Sequence, residues 1–200
     1  MVKISKALIY CLLLSAVPSA QAEVESWYTY WAFGFGSANY SGDIKTGISE
    51  LENSTGFDHS STTAVDLFGF YWPVFEQNTI MGVVLNGVTE SYRSSGLNAD
   101  ASLTTSQLSF STLYFFGEEP GDNFFLRGDV GIGRVGITVT NDQNISLTGA
   151  TESGIGIRLG AGYGIPVSGE SRVLITFLLG KNNTDEGDSS TASLLVGGLW

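Results

Sequence analysis

The sequence predicts an all-β protein, an eight-stranded antiparallel up-and-down transmembrane β-barrel. Three observations predict it. Apolar residues alternate with small or polar ones over eight separate segments, the signature of strands with two unlike faces. The connections between those segments are long and tight by turns. The aromatic residues gather at one end of the resulting plan.

The first 22 of the 200 residues read as a cleaved leader. Lys3 and Lys6 precede an apolar run, Ala7 to Val17, and Ala20 and Ala22 make an A-x-A pattern. That order is the one found in secretory signal peptides. The run is shorter than the roughly 20 apolar residues a transmembrane helix needs. Cys11 lies inside it, behind the bulky Tyr10, which does not suit a lipid-attachment cysteine. Residues 23–200 are expected to form one barrel domain. The only cysteine leaves with the leader, so no disulfide framework is available. Lys3 and Lys6 leave too, so seven basic residues face twenty acidic ones, a net charge of −13. A chain so acidic is disfavoured as a nucleic-acid binder.

The predicted strands run Trp27–Ala38, Ala64–Val74, Asn78–Tyr92, Leu103–Phe116, Asn123–Val139, Ser153–Ile165, Ser171–Lys181 and Thr191–Trp200. The clearest is "SGIGIRLGAGYGI". Ile155, Ile157, Leu159, Ala161, Tyr163 and Ile165 share one face, while Arg158 and five glycines share the other. Most segments reach the roughly 9–11 residues that a tilted strand needs to cross a bilayer. Long connections fall at 39–63, 93–102 and 140–152, and a medium, acidic one at 182–190. Tight ones fall at 75–77, "GEEPGD" and "PVSGE", and Pro73, Pro120 and Pro166 sit with these. Long loops at one end and short turns at the other is the asymmetry of outer-membrane barrels.

The two faces decide between a soluble and a membrane barrel. The less apolar face carries Gln107, Ser109, Ser111, Gly131 and Gly133 rather than rows of Lys and Glu. Small residues with isolated charges suit the crowded interior of a narrow barrel. Trp27, Tyr30, Trp31, Tyr71, Trp72, Tyr114, Phe116, Phe124, Tyr163 and Trp200 all fall on the tight-turn side. They are expected to form a periplasmic girdle of amphipathic rings at the membrane boundary. An even strand count puts both ends of the barrel on that side. The first strand can then pair with the eighth, leaving no open edge in lipid.

Glu90, Arg127, Asp129 and Arg158 point to the interior if the alternation holds. An unpaired charge there would be costly, so the four are expected to form one Arg–carboxylate network. It would plug the barrel; gating of a small pore is the sharper alternative. Arg134 has lipid-facing parity and should lie at the extracellular rim or follow a bulge.

The strand plan, the aromatic girdle and the ending "LLVGGLW" resemble the eight-stranded outer-membrane barrels of the OmpX, OmpA-transmembrane-domain and opacity-protein type. The resemblance implies residence in the outer membrane of a Gram-negative bacterium, with both termini periplasmic. It implies contact with outer-membrane lipid and lipopolysaccharide. It also implies reading of the last strand by the barrel-insertion machinery through Leu194, Val196 and Trp200, although Gly198 interrupts the apolar alternation. The chain is expected to be a monomer.

Catalytic chemistry is poorly represented. The one histidine, His59, stands in "FDHSS" between Asp58 and Ser60. Three consecutive side chains on an extended segment diverge, so they do not make a Ser-His-Asp relay alone. An outer-leaflet lipid-modifying enzyme would need His59 with partners from elsewhere. Asp185, Glu186 and Asp188, and more loosely Glu50, Glu52 and Asp58, are oxygen-rich enough for Ca²⁺ or Mg²⁺. Their spacing fits no EF-hand, and no cofactor is expected. The glycines of "VGIGRVG" lie on a strand and do not form a phosphate loop. The expected role is non-enzymatic: membrane structure, or surface interaction through acidic extracellular loops.

Overall fold

The computed structural model describes residues 27–75, 78–94, 96, 98–141, 143, 146–168 and 171–200. The leader pattern of Lys3, Lys6, Cys11 and Ala22 lies outside them. The elements are β1 (Tyr28–Tyr40), α1 (Gly42–Thr55), β2 (Asp58–Val74), β3 (Thr79–Ser94), β4 (Ala99–Phe115), β5 (Asn123–Asn141), β6 (Ser146–Ala150), β7 (Gly154–Ser168), β8 (Ser171–Thr184) and β9 (Gly187–Leu199). All pairings are antiparallel. The ring runs β1–β2–β3–β4–β5–β7–β8–β9 and closes from β9 onto β1, from Tyr30 opposite Leu199 to Tyr40 opposite Ser189. The molecule is a closed eight-stranded barrel, with β6 as a short extra strand on the upper part of β5.

Alternation sorts the side chains as anticipated along most of the wall. Phe33, Phe35, Leu108, Phe110, Val130, Ile132, Leu159 and Phe177 are exposed on the outer surface, and their neighbours in sequence are directed inward. An outer apolar surface of this extent is far beyond what a soluble monomer shows. Among the described residues no helix is long and apolar enough to cross a membrane.

The strands are longer than the apolar pattern suggested, chiefly at the long-loop end. β2 begins at Asp58, β4 at Ala99 and β9 at Gly187. There β2 and β9 are polar on both faces, and in β4 only Ala99 and Ala101 alternate with Asp100 and Ser102, so the hydrophobic signal is weak or absent. Backbone groups still require partners, so the ladders continue above the apolar band. The first long connection also contains α1, which the sequence reading left as loop. Ile44 and Ile48, four positions apart, face the same way on α1 and pack over the barrel mouth. Gly56 ends the helix in the left-handed region, at φ 62°. Ser41, just before the helix, accepts no N–H from it; its Oγ accepts the Asp188 N–H instead, at 3.0 Å.

β2 contains a bulge that sets up the interior. Between Tyr30 and Ala32 of β1, β2 runs from Gly69 to Asp66, and on the other side Phe68 opposes Leu85 while Asp66 opposes Asn86. β2 therefore carries one extra residue. Leu67 and Phe68 are adjacent yet both exposed, at 63% and 58%. The parity from Ser61 to Asp66 is inverted, as far as a second bulge between His59 and Ser61. Asp66, which strict alternation places on the lipid side with Phe68 and Phe70, is turned inward and is 1% exposed.

Candidate functional site: the barrel interior and its mouth

Four levels fill the interior. At the tight-turn end Ile80, Leu113, Phe115, Phe125, Leu174 and Leu199 form an apolar plug, with Tyr30 and Tyr71 above it. Next comes a quartet of charges. Arg127 Nη1 donates to Asp66 Oδ2 at 2.6 Å, and Arg127 Nε to Asp129 Oδ1 at 3.0 Å. Arg158 Nη1 donates to Asp66 Oδ1 at 3.1 Å, and Arg158 Nη2 and Nε to Asp129 Oδ2 at 2.6 and 2.9 Å. Each arginine touches both aspartates and each aspartate both arginines, so the cycle is closed and its net charge is zero. That is the arrangement in which buried ions offset their desolvation.

The third level is polar. Asn86 Nδ2 donates to Ser109 Oγ there at 3.3 Å; at the height of the quartet, Tyr71 OH donates to Ser111 Oγ, the residue in register with Asp129, at 2.9 Å. Beside Arg158, a cavity of about 10 Å³ is bounded by Thr105, Gln107, Asn182 and Ser189. It has room for about one water. The fourth level is a second apolar cluster at the mouth. Phe57, Tyr92, Leu103 and Val135 are buried there beneath Ile44 and Ile48 of α1.

The quartet differs from the sequence expectation by one member. Arg127, Asp129 and Arg158 converge, but the fourth group is Asp66 and not Glu90. Glu90 lies on β3 eight positions beyond Gly82, the β3 residue in register with Ser111 and Asp129. It is buried near the mouth, where Oε1 accepts the Ala38 N–H at 3.3 Å and Oε2 the Tyr92 hydroxyl at 3.1 Å. Asp66 could have been found from the sequence only by recognising the bulge. The adjacent apolar pair Leu67–Phe68, which breaks the alternation of β2, is its one trace.

The aromatic set also divides. Trp27, Trp31, Trp72, Tyr114, Phe116, Phe124, Tyr163 and Trp200 project from the outer surface. They interlock in pairs, with Trp31 edge-on to Trp200 at 5.8 Å and Phe124 edge-on to Tyr163 at 4.9 Å. Tyr30 and Tyr71 do not belong with them. Both are buried inside, at 1% and 0% exposure, because each occupies the inward parity beside an outward tryptophan. Their hydroxyls also require partners away from water. Arg127 Nη1 donates to Tyr30 OH at 3.3 Å. Arg134 is exposed on the outer face beyond Ile132, at the long-loop end of β5.

His59 is exposed on β2. Its Nε2 lies 3.0 Å from Thr62 Oγ1 and its ring is edge-on to Tyr92. Ser60 Oγ donates to the Ser91 carbonyl at 2.9 Å. Asp185 is exposed, Glu186 Oε1 accepts the Glu152 N–H, and Asp188 pairs with Lys181 at 3.2 Å. Among the described residues no three His, Cys, Asp or Glu side chains converge as a metal site.

A closed antiparallel ring of eight strands, apolar outside and filled inside, has the fold of the outer-membrane β-barrel proteins. Solved structures agree. The chain is similar to Ail, the attachment invasion locus protein of Yersinia pestis, crystallised with the heparin analogue sucrose octasulfate. The TM-score is 0.54 at 11% identity, over 88% of this chain and 99% of that one. It is also similar to Neisserial surface protein A, with a TM-score of 0.51 at 9% identity over 86% and 95% of the two chains. At such identities the likeness is one of fold. No family model matches the sequence, and no curated protein does.

Proposed function

We propose that the chain is a non-enzymatic outer-membrane protein that presents an acidic, ordered surface at its long-loop end. The observation that carries this reading is the interior. A plug, a neutral ion quartet and a capped mouth occupy the space that a solute would need, while the outer face is apolar. What remains for interaction is the rim. The first and last described residues, Trp27 and Trp200, and the other outward aromatics lie at the opposite end, which on this reading is periplasmic. Outer-leaflet lipid and lipopolysaccharide would surround the wall, and the insertion machinery would meet β9.

The placement of His59 supports the non-enzymatic reading. Its Nε2 is engaged with the Thr62 hydroxyl, and among the described residues no hydrogen bond joins it to a serine or a carboxylate. Acidic loops near lipid phosphates would hold Ca²⁺ or Mg²⁺ only weakly.

The test is fractionation with conductance. The protein should sediment with outer membranes, require detergent for extraction and change gel mobility on boiling. Inserted into planar bilayers, it should show no steady current. Recovery in the soluble periplasmic fraction would overturn the membrane reading, and stable conductance would overturn the filled-barrel role. Unchanged lipid A in a His59→Ala strain compared with wild type would argue against the enzyme; a changed pattern would revive it.

A further inference from the structure

β6 leaves a sheet edge open. It bonds to β5 through the pairs from Gly136–Ala150 to Thr140–Ser146. Among the described residues no second strand pairs with it. β8 accompanies β7 only as far as Asn183 opposite Ile155, and then turns from Thr184 to Gly187 into β9. The β5–β6 hairpin thus continues past the point where β8 stops. Every residue from Ser146 to Ala150 is exposed, Leu147 at 74%. Proteins commonly guard such edges with a charge, a proline or a bulge; "SLTGA" has no charge and no proline. Alternate residues of a strand direct their N–H and C=O groups away from a single partner, so the edge offers unpaired donors and acceptors.

The surroundings set the sign of a partner. Glu152 follows β6 by two positions, and its N–H donates to Glu186 Oε1 at 3.0 Å, which ties the β8–β9 turn to this place. Glu186 Oε2 is buried with no hydrogen-bond partner among the described residues. Asp185 is exposed beside it, and Lys181 is engaged by Asp188. Two copies of so acidic an edge would repel each other, whereas a cationic chain would be drawn in and would supply the missing donor.

We propose that β6 is a docking strand for an extended, basic segment of a partner protein. The segment adds to the sheet through backbone hydrogen bonds to Ser146–Ala150. A Lys or Arg side chain of the segment reaches the Glu152–Glu186 pair. The proposal rests on the surface-interaction reading above.

The experiment uses the full mature chain in neutral phosphatidylcholine nanodiscs. The probes are an alternating lysine–valine hexapeptide and its glutamate–valine counterpart. The basic peptide should bind and the acidic one should not. Glu152→Gln with Glu186→Gln, which keeps the acceptor for the Glu152 N–H, should weaken binding about tenfold. Leu147→Pro and Thr148→Pro remove adjacent N–H groups, one directed to β5 and one to the edge, so one of the two should abolish binding with the boiling-dependent gel shift intact. Equal binding of both peptides, no binding, or indifference to both prolines would overturn the proposal. So would disulfide-linked dimers of Thr148→Cys, which would give the edge to a second copy. Loss of the gel shift in the unmodified protein would instead remove the membrane reading beneath it.

Discussion

Asp66 and Arg158 meet at 3.1 Å although β2 and β7 stand four strands apart in a ring of eight. They sit on opposite walls, and their bond spans the interior. Asp66→Asn keeps the size and removes the charge, which leaves two arginines to one aspartate in a site with no exposed carboxylate nearby. A cost of about 3–5 kcal/mol is expected for breaking a buried pair from one side. Urea unfolding of the variant in lipid bilayers measures it. An unchanged midpoint would show that the quartet adds nothing.

The bulge makes a separate prediction. Deleting Leu67 removes the extra residue and sets Asp66 directly before the outward Phe68, so strict alternation keeps Asp66 on the interior side. The deletion variant should still give the heat-modifiable form, and its failure to do so would show that the bulge is needed for more than parity. Leu67→Ala keeps the extra residue and loses only exposed surface, so it should assemble normally.

Trp200 is bound to β1 at the seam. Thr29 N–H donates to the Trp200 carbonyl at 2.7 Å, and the Trp200 N–H donates back to the Thr29 carbonyl at 3.1 Å. Truncation removes both bonds and the ring against Trp31. Assembly in cells, followed by the fraction of heat-modifiable protein over time, should slow. A rate equal to wild type would deny the seam this role.

Two glycines of the wall should respond oppositely to a methyl group. A Cβ at Gly34 would run into the Leu194 carbonyl oxygen, whereas at Gly128 the nearest atom is a Leu159 methyl at 3.6 Å. Gly34→Ala is expected to cost about 1–3 kcal/mol. Gly128→Ala should be neutral within about 0.5 kcal/mol. Unfolding midpoints of the two variants make the comparison.

The plan of the barrel was legible because lipid imposes it. Alternation in "SGIGIRLGAGYGI" and the long and tight connections are direct consequences of strands with one apolar side. Arg127, Asp129 and Arg158 were legible for the same reason, since each lies on an unbroken run. Asp66 was not, because parity is a local count that one extra residue inverts. Tyr30 and Tyr71 were misplaced because composition locates an aromatic at a level of the barrel without saying which side of the wall it occupies. α1 went unread since its helical spacing rests on just Ile44, Ile48 and Leu51 within a polar stretch. Glu90 was placed on the correct side but at the wrong level, because a face says nothing about height.

The quartet draws on β5 and β7, which are neighbours in the wall, and on β2, which touches neither of them there. The two ion pairs of Asp66 can therefore form only when β2 faces the β5–β7 wall with every intervening register correct. A barrel mispaired by one residue would hold Asp66 away from both arginines in a dry interior, at a cost of about 3–5 kcal/mol. The ion cycle thus acts on assembly as a proofreading step: it rewards the one closure among many that brings two distant walls into alignment, and it makes the others reversible.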